Sequence, residues 1–333
     1  MVAVETWLYP TPSGLFCEPG GFYIDPARAI DRAVITHGHS DHARAGHGHV
    51  LATPETIEIM KVRYGPECAG SFAPLGYGRS IVINGVSVRF APAGHILGSA
   101  QIVLEWGASR VVVSGDYKRS PDPTCETFEL VLCDLFVTEA TFALPVFQHG
   151  AAEAQIDRLM QSLGSGRPHL VGAYSLGKCQ RILKMVRNAG YEKPIYLHGA
   201  HVALTKLYEN MGHDFGELRT VSAASAEDLS SALVLCPPTS VADRWSRRFD
   251  DPVIAFASGW MRIRGRVRQR GVELPLIISD HADWPELLDT IVATGASDIW
   301  ITHGRDDALT YQLAIMGRRA RALSLIGRED EAE

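Results

Sequence analysis

The sequence predicts an α/β protein in which a parallel α/β unit of roughly 125 residues interrupts a larger α/β domain. Three features of the 333-residue chain predict it. Short apolar runs separated by Gly, Pro and Asp fill the first part. From Ala151 a regular alternation of strand and helix patterns takes over, the signature of parallel strands joined by crossover helices. After residue 272 the first style returns. A prior of about 100–200 residues per domain agrees with two domains.

The boundaries follow from those shifts. Residues 1–147 and 273–325 form the outer domain, 148–272 the inserted one, and 326–333 a frayed acidic tail. In the first part, 33–36, 81–83, 86–90, 101–104 and 110–113 read as strands, and 53–64 as a helix capped by Thr53. In the insert, helices are expected over 151–163, 177–189 and around 202–211, with strands over 169–174, 194–198, 233–236 and 253–256. The last part reads as a strand at 276–279, a helix at 284–294, a strand at 299–302 and a terminal helix at 308–321.

Composition sets the class. Hydrophobic residues make up 46% and charged residues 21%, ordinary values for a soluble globular protein. No apolar run is long enough to span a membrane, and the N-terminus lacks the basic start and apolar core of a secretory signal. The six cysteines are scattered without a CxxC pair, as expected of free thiols in a reducing cytosol, so a cytoplasmic location is expected. A net charge of −6 does not announce a nucleic-acid binder, but a basic groove can sit on an acidic body.

The chemistry concentrates in His37-Gly38-His39-Ser40-Asp41-His42, directly after the strand at 33–36. Imidazole and carboxylate suit zinc or manganese. Histidines at i and i+2 can aim at one ion, and Asp41 with His42, turned the other way, at a second. His47 and His49 follow closely and read as surface residues. Further on, His95 sits in Pro92-Ala93-Gly94-His95, Asp116 ends a strand in Gly115-Asp116-Tyr117, and His303 repeats the strand-to-His-Gly pattern with Gly304. Glycine beside each lets the backbone turn sharply. A lone Asp after a strand is more often a cap or turn residue; the company of the first cluster makes Asp116 a ligand candidate.

On these residues the chain resembles the metallo-β-lactamase-fold nucleases of the β-CASP group, which includes Artemis-type DNA nucleases, ribonuclease J and the pre-mRNA cleavage nuclease. The order HxHxDH, His, Asp, acidic residue, insert, two late histidines covers nearly the whole chain. Within the group, 14–20, 22–26, 174–181 and Ser279-Asp280-His281-Ala282-Asp283-Trp284 are most similar to the bacterial ligase-associated DNA exonucleases. The resemblance implies a metallo-β-lactamase αββα sandwich with an inserted parallel β-CASP domain. It implies two divalent ions, zinc favoured and manganese the alternative, one held by His37, His39, His95 and Asp116, the other by Asp41, His42, His303 and the shared Asp116. Such a pair supplies the Lewis acidity that phosphodiester hydrolysis needs. Asp25 matches an early aspartate that supports the ligand loop. Glu139 matches the acidic motif and His281 the first late histidine: a carboxylate holding an imidazole that contacts the scissile phosphate or protonates the departing oxygen. Asp41, Glu139 and His281 are the implied catalytic residues.

Phosphate-binding candidates lie in the insert. Tyr174, Ser175 and Lys178 sit where a strand opens a helix, although the order of a P-loop is absent. Arg262, Arg264, Arg266, Arg268 and Arg270 alternate with other residues, which in a strand would place five guanidinium groups on one face. A solvated edge strand is the alternative for that stripe, and core filling is expected for nearby Trp260. The expected function is a DNA exonuclease of repair, 5′ ends favoured, with DNA preferred over RNA as partner and DNA ligase or helicase partners implied by the resemblance; no membrane is expected. The alternatives are an RNA-processing endonuclease or 5′ exoribonuclease, a nucleic-acid-binding scaffold with a degenerate site, and a small-molecule hydrolase. His303 pulls towards RNA, because RNA-processing members of the group commonly carry that histidine.

Overall fold

The computed structural model describes residues 3–304 and 306–323; the side chain of His303 and the tail at 326–333 lie outside the described residues. The chain forms two compact units, one comprising the chain up to Gln148 and from His281 on, the other His149–Asp280. The described residues are of mixed α/β type with three sheets.

In chain order, the first sheet comprises β1 (Leu8–Thr11), β2 (Gly14–Cys17), β3 (Phe22–Ile24), β4 (Arg32–Val34), β5 (His47–Ala52) and β6 (Ala69–Pro74), with α1 (Pro54–Tyr64) between the last two. Thr53 caps α1 through the Thr56 N–H, and Pro54 opens it with a fixed φ. The second sheet begins with β7 (Ser80–Ile83), β8 (Val86–Pro92), β9 (Ala100–Trp106), β10 (Ser109–Val113) and β11 (Leu135–Ala140). The second unit follows: α2 (Ala152–Leu163), β12 (His169–Gly172), α3 (Lys178–Asn188), β13 (Ile195–Leu197), α4 (Gly199–Asn210), β14 (Leu218–Thr220), α5 (Ala226–Leu229), β15 (Leu233–Cys236), β16 (Val253–Ala257), α6 (Arg264–Gln269) and β17 (Leu274–Leu276). The chain then adds α7 (Trp284–Ala293), β18 (Asp298–Gly304), α8 (Asp307–Ile315) and β19 (Arg319–Ala322), so the second sheet runs β19-β18-β11-β10-β9-β8-β7.

Burial explains the layers of the first unit. One core cluster draws Leu15, Phe22, Ile24 and Val34 from the first sheet and Val88, Phe90, Ile102 and Val113 from the second. The opposite face of the second sheet (Val103, Val112, Phe136, Ile299) packs on Leu287 and Ile291 of α7 and Leu309 and Leu313 of α8. The opposite face of the first sheet (Ala33, Val50, Ala52) packs on Ile57 and Met60 of α1. Each sheet is therefore apolar on both faces, as a sheet covered on both sides must be.

The third sheet is wholly parallel, in the order β14-β13-β15-β12-β16-β17. Its central strands β12 and β15 are buried at every position, the reading expected of parallel strands walled by helices. A polar cluster is buried with them. Asp280 accepts from Arg181 (3.3 Å) and lies 3.4 Å from the Lys178 ammonium, all three side chains being buried. Removing that carboxylate leaves two buried cations with one counter-charge fewer. The Asp280→Ala protein is expected to lose about 3–5 kcal/mol of stability, read as a lower urea midpoint with an unchanged slope.

Four local expectations are corrected. The expected 308–321 helix ends at Ile315; Gly317 turns with φ +73° and β19 then pairs in parallel with β18. The strand expected at 276–279 lies earlier, at Leu274–Leu276, set by pairing with β16. His47 is buried, its Nδ1 accepting from the Ile30 N–H, whereas His49 is exposed. The arginine stripe is not a strand: a 3₁₀ turn (Gly259–Arg262), capped by Ser258, leads into α6. Partial burial there falls on Ile263, Arg266 and Val267, a helical spacing. Arginine is a good helix former, and alternation of charge without alternation of burial carries no strand signal.

Candidate metal centre

The second sheet brings most of the candidate residues to one edge. β10 and β11 are parallel neighbours, so Asp116, just past β10, and Glu139, near the end of β11, leave the sheet together. β18 runs parallel to β11 on its other side, and the register shifts between Thr138 and Ala140, at Glu139. Such bulges re-aim side chains beside functional sites. The β8–β9 loop supplies His95, whose N–H and that of Ile96 both donate to Ser99 Oγ at 3.1 Å. The segment after β4 supplies His37, His39, Asp41 and His42, and Arg63 of α1 holds it by donating to the Gly38 carbonyl at 2.8 Å.

Two glycines allow this convergence. Gly115 has φ +57°, and a Cβ there would lie 2.7 Å from Thr36 Cβ; Gly94 has φ +74°, and a Cβ there would lie 2.3 Å from the Lys118 carbonyl oxygen. Both loops could not close so tightly on any other residue.

Asp116 Oδ2 is the common point. It lies 3.4 Å from His37 Nε2, 3.5 Å from His42 Nε2 and 3.8 Å from His95 Nε2. His39 Nδ1 lies 3.1 Å from His37 Nε2 and 3.0 Å from His95 Nε2. A tetrahedron with bonds of roughly 2.0–2.1 Å has donor–donor edges of about 3.3 Å, so His37, His39, His95 and Asp116 fit a zinc-sized ion. Asp41, His42 and Asp116 form an adjoining group of potential ligands, and Asp116, Glu139 and His281 a third. Burial, then the neighbouring imidazoles of His42, His95, His39 and His281, hold His37 well below the usual imidazole range, the neutral form a ligand needs. Burial acts in the same sense on His42, but Asp41, Asp116 and Asp25 outweigh it and hold that imidazole well above the usual range. The buried His/Asp cluster fits a metal site.

Asp25 fixes the ligand loop. Its carboxylate accepts from the Thr36 N–H (2.7 Å) and hydroxyl (2.6 Å), and Oδ2 lies 2.8 Å from His42 Nδ1. Asp25 itself sits at φ +42°, a strained conformation for a non-glycine residue. Asp25→Asn is expected to weaken metal affinity about 10- to 100-fold, measured by competition with a chromophoric chelator.

Glu139 and His281 also meet. Glu139 Oε2 lies 2.9 Å from His281 Nδ1, and Oε1 accepts from the Tyr117 N–H at 2.8 Å. That contact places the Nδ1 proton on the carboxylate side, leaving Nε2 as the atom for a proton or ligand. The His281 ring centroid is 4.7 Å from that of His95. His303 lies on β18, but its side chain is outside the described residues.

The phosphate-binding candidates belong to the second unit. Tyr174 and Ser175 are half-buried after β12. Lys178 is buried in the first turn of α3, beside Asp280, with its ammonium 5.6 Å from the Tyr174 ring centre. Arg262 and Arg264 are exposed, whereas Arg266 lies on the half-buried Trp260 ring at 3.8 Å. Sequence reasoning missed Arg63 and Thr36, which shape the ligand loop; neither stands in a pattern that could have revealed it.

No protein-family model matches the chain. Among curated proteins, it is 27% identical over 98% of its length to 32% of a protein named "Probable DNA ligase" from Opitutus terrae. It is 27% identical over 60% of its length to 53% of a ribonuclease from Thermus thermophilus. It is 24% identical over 55% of its length to 31% of cleavage and polyadenylation specificity factor subunit 3-I from Arabidopsis thaliana. The chain thus spans about a third to a half of these relatives. Among solved structures, a protein of unknown function from Enterococcus faecalis matches with a TM-score of 0.56 at 13% identity, covering 81% of this chain and 74% of that one, a likeness of fold alone. Among the described residues, no helix is long and apolar enough to cross a membrane. These relatives are members of the metallo-β-lactamase/β-CASP nuclease family, and in the order of its histidine and acidic motifs the chain is similar to them, with a resemblance to the bacterial ligase-associated members.

Proposed function

We propose that the chain is a metal-dependent nuclease hydrolysing phosphodiester bonds of DNA, an exonuclease favouring 5′ ends and serving DNA repair. The observation that carries it is the position of Asp116 Oδ2 between two histidine groups, 3.4 Å from His37 and 3.5 Å from His42. The proposed architecture is an αββα sandwich interrupted by a β-CASP domain, supported by the helix-covered outer faces of the first two sheets and the parallel third sheet.

His37, His39, His95 and Asp116 would hold one divalent ion, and Asp41, His42 and Asp116, with His303, a second; zinc is favoured by the histidine-rich set, with manganese the alternative. Ions held there would supply Lewis acidity to the phosphate and to the attacking water. Asp25 orients His42. Asp41 sits 3.2 Å from His42 Nε2 and adds negative charge beside it. Glu139 fixes the His281 tautomer, and His281 Nε2 gives a proton to the departing oxygen. Tyr174, Ser175, Lys178, Arg262, Arg264 and Arg266 are proposed phosphate contacts in the second unit, with Lys178 acting through its field because Asp280 adjoins it.

The likeness over nearly the whole chain to part of a probable DNA ligase supports DNA, and a ligase as partner. The ribonuclease relatives support RNA as the second reading, by endonucleolytic or 5′ exonucleolytic cleavage. The test is digestion of matched single- and double-stranded DNA and RNA, labelled at either end, with zinc and with manganese. Stepwise shortening of DNA from the 5′ end is expected; faster cleavage of RNA would overturn the choice of DNA.

A further inference from the structure

Every strand of the third sheet is parallel, so all carboxyl ends lie along one edge. The two edges carry charge differently. At the amino edge, arginines are neutralised: Arg167 pairs with Asp251 (3.0 Å) and Glu273 (2.7 Å), and Arg219 with Glu217 (2.6 Å). At the carboxyl edge the buried Arg181 is paired with Asp280, but several exposed arginines have no such partner.

After β15 the chain enters a 3₁₀ turn, Arg244-Trp245-Ser246-Arg247-Arg248, with Asp243 as its cap. Asp243 uses its carboxylate on the Arg244 backbone N–H, at 2.6 Å. Residues i and i+3 eclipse in such a turn, so Arg244 and Arg247 project on the same side. Arg244, Arg247 and Arg248 are exposed, and among the described residues none has a carboxylate at ion-pair distance. The turn is pinned rather than loose. The Trp245 ring packs against His198 (4.7 Å) and Phe249 (5.4 Å), and the Arg248 guanidinium lies 5.3 Å from its centre. After β16, exposed Arg262, Arg264 and Arg268 likewise have no carboxylate partner among the described residues. β15 and β16 flank β12, so the two basic segments leave the sheet two strand spacings apart, about 10 Å.

Parallel sheets receive ligands outside their carboxyl ends. Fixed cations with no carboxylate at ion-pair distance, set beside half-buried aromatic rings, suit an unpaired strand of nucleic acid, whose phosphates they neutralise and whose bases are free to stack. We infer that the Arg244–Arg248 turn is a second contact for single-stranded nucleic acid, holding backbone phosphates that the proposed contacts Arg262, Arg264 and Arg266 do not reach alone. The inference deepens the proposed nuclease function and rests on it for the identity of the strand.

The test separates the two. Anisotropy of a labelled oligothymidylate and oligouridylate, each about 20 nucleotides long, is measured against metal-depleted protein over a salt series, for the wild type, the R244A/R247A/R248A protein and its Arg→Lys counterpart. The alanine protein is expected to bind at least tenfold more weakly, with a salt slope lower by about 2, since each single-strand phosphate contact contributes about 0.7. The lysine protein is expected to keep the slope, and all three proteins, once metal is restored, to hydrolyse bis(p-nitrophenyl) phosphate alike. Equal affinity and slope for the wild type and the alanine protein on both polymers overturn the inference. Weaker binding by the alanine protein than by a wild type that itself hydrolyses no phosphodiester keeps the contact and removes the nuclease.

Discussion

The Asp116→Ala protein is expected to lose bound metal and all measurable phosphodiester hydrolysis while keeping its fold. Asp116 Oδ2 lies within 3.8 Å of His37, His42 and His95, so its loss removes a potential ligand shared by both groups at once. It also removes a negative charge from a buried set of imidazoles, which raises the cost of bringing any cation there. A site of this kind contributes several kcal/mol of transition-state stabilisation, and each 1.36 kcal/mol is about tenfold in rate. A fall of about a thousandfold or more in kcat/KM is therefore expected. Metal content by mass spectrometry should fall with it, while the circular dichroism spectrum stays that of the wild type. Full metal content with full activity would remove Asp116 from the centre.

Glu139→Gln is expected to behave differently. The substitution keeps shape and one acceptor oxygen, so the Tyr117 N–H at 2.8 Å can still be satisfied. What changes is the group facing His281 Nδ1, now 2.9 Å from a carboxylate oxygen. An amide carries less charge there and can present a donor instead, which disfavours the imidazolium and can switch the tautomer. If His281 protonates the departing oxygen, kcat should fall by about 10²- to 10⁴-fold with metal content intact. A substrate whose leaving group needs no proton, such as a p-nitrophenyl ester, should lose far less. An equal loss on both substrates would make Glu139 a structural residue.

These two variants also mark how much of the site was legible in the sequence. The run from His37 to His42 stands out because its residues are contiguous and of one chemical kind. His95 and Asp116 became candidates only in its company, since a histidine or aspartate after a strand has many ordinary uses. What brings them together is not written near them: parallel pairing of β10 with β11 sets Asp116 beside Glu139, and a positive φ at Gly94 and Gly115 lets the loops close. The arginine stripe shows the opposite failure. Its period of two is a property of charge alone, whereas folding follows burial, and the half-buried Ile263, Arg266 and Val267 fall at helical spacing. His47 was misplaced at the surface for a similar reason: it sits on an edge-to-centre parallel strand, paired with Ala69, whose burial depends on partners distant in sequence. The strand–helix alternation of the second unit was legible because central parallel strands are apolar throughout.

The central claim is that the histidine–aspartate cluster is a divalent-metal centre for phosphodiester cleavage. The most direct measurement is activity on a labelled single-stranded oligonucleotide as metal-depleted protein is titrated with zinc or manganese, with Asp116→Ala protein alongside. Activity should be absent without metal, rise with added ion to a plateau near two per chain, and stay absent in the Asp116→Ala protein. Equal cleavage by the metal-depleted wild type, or by the Asp116→Ala protein, would contradict it.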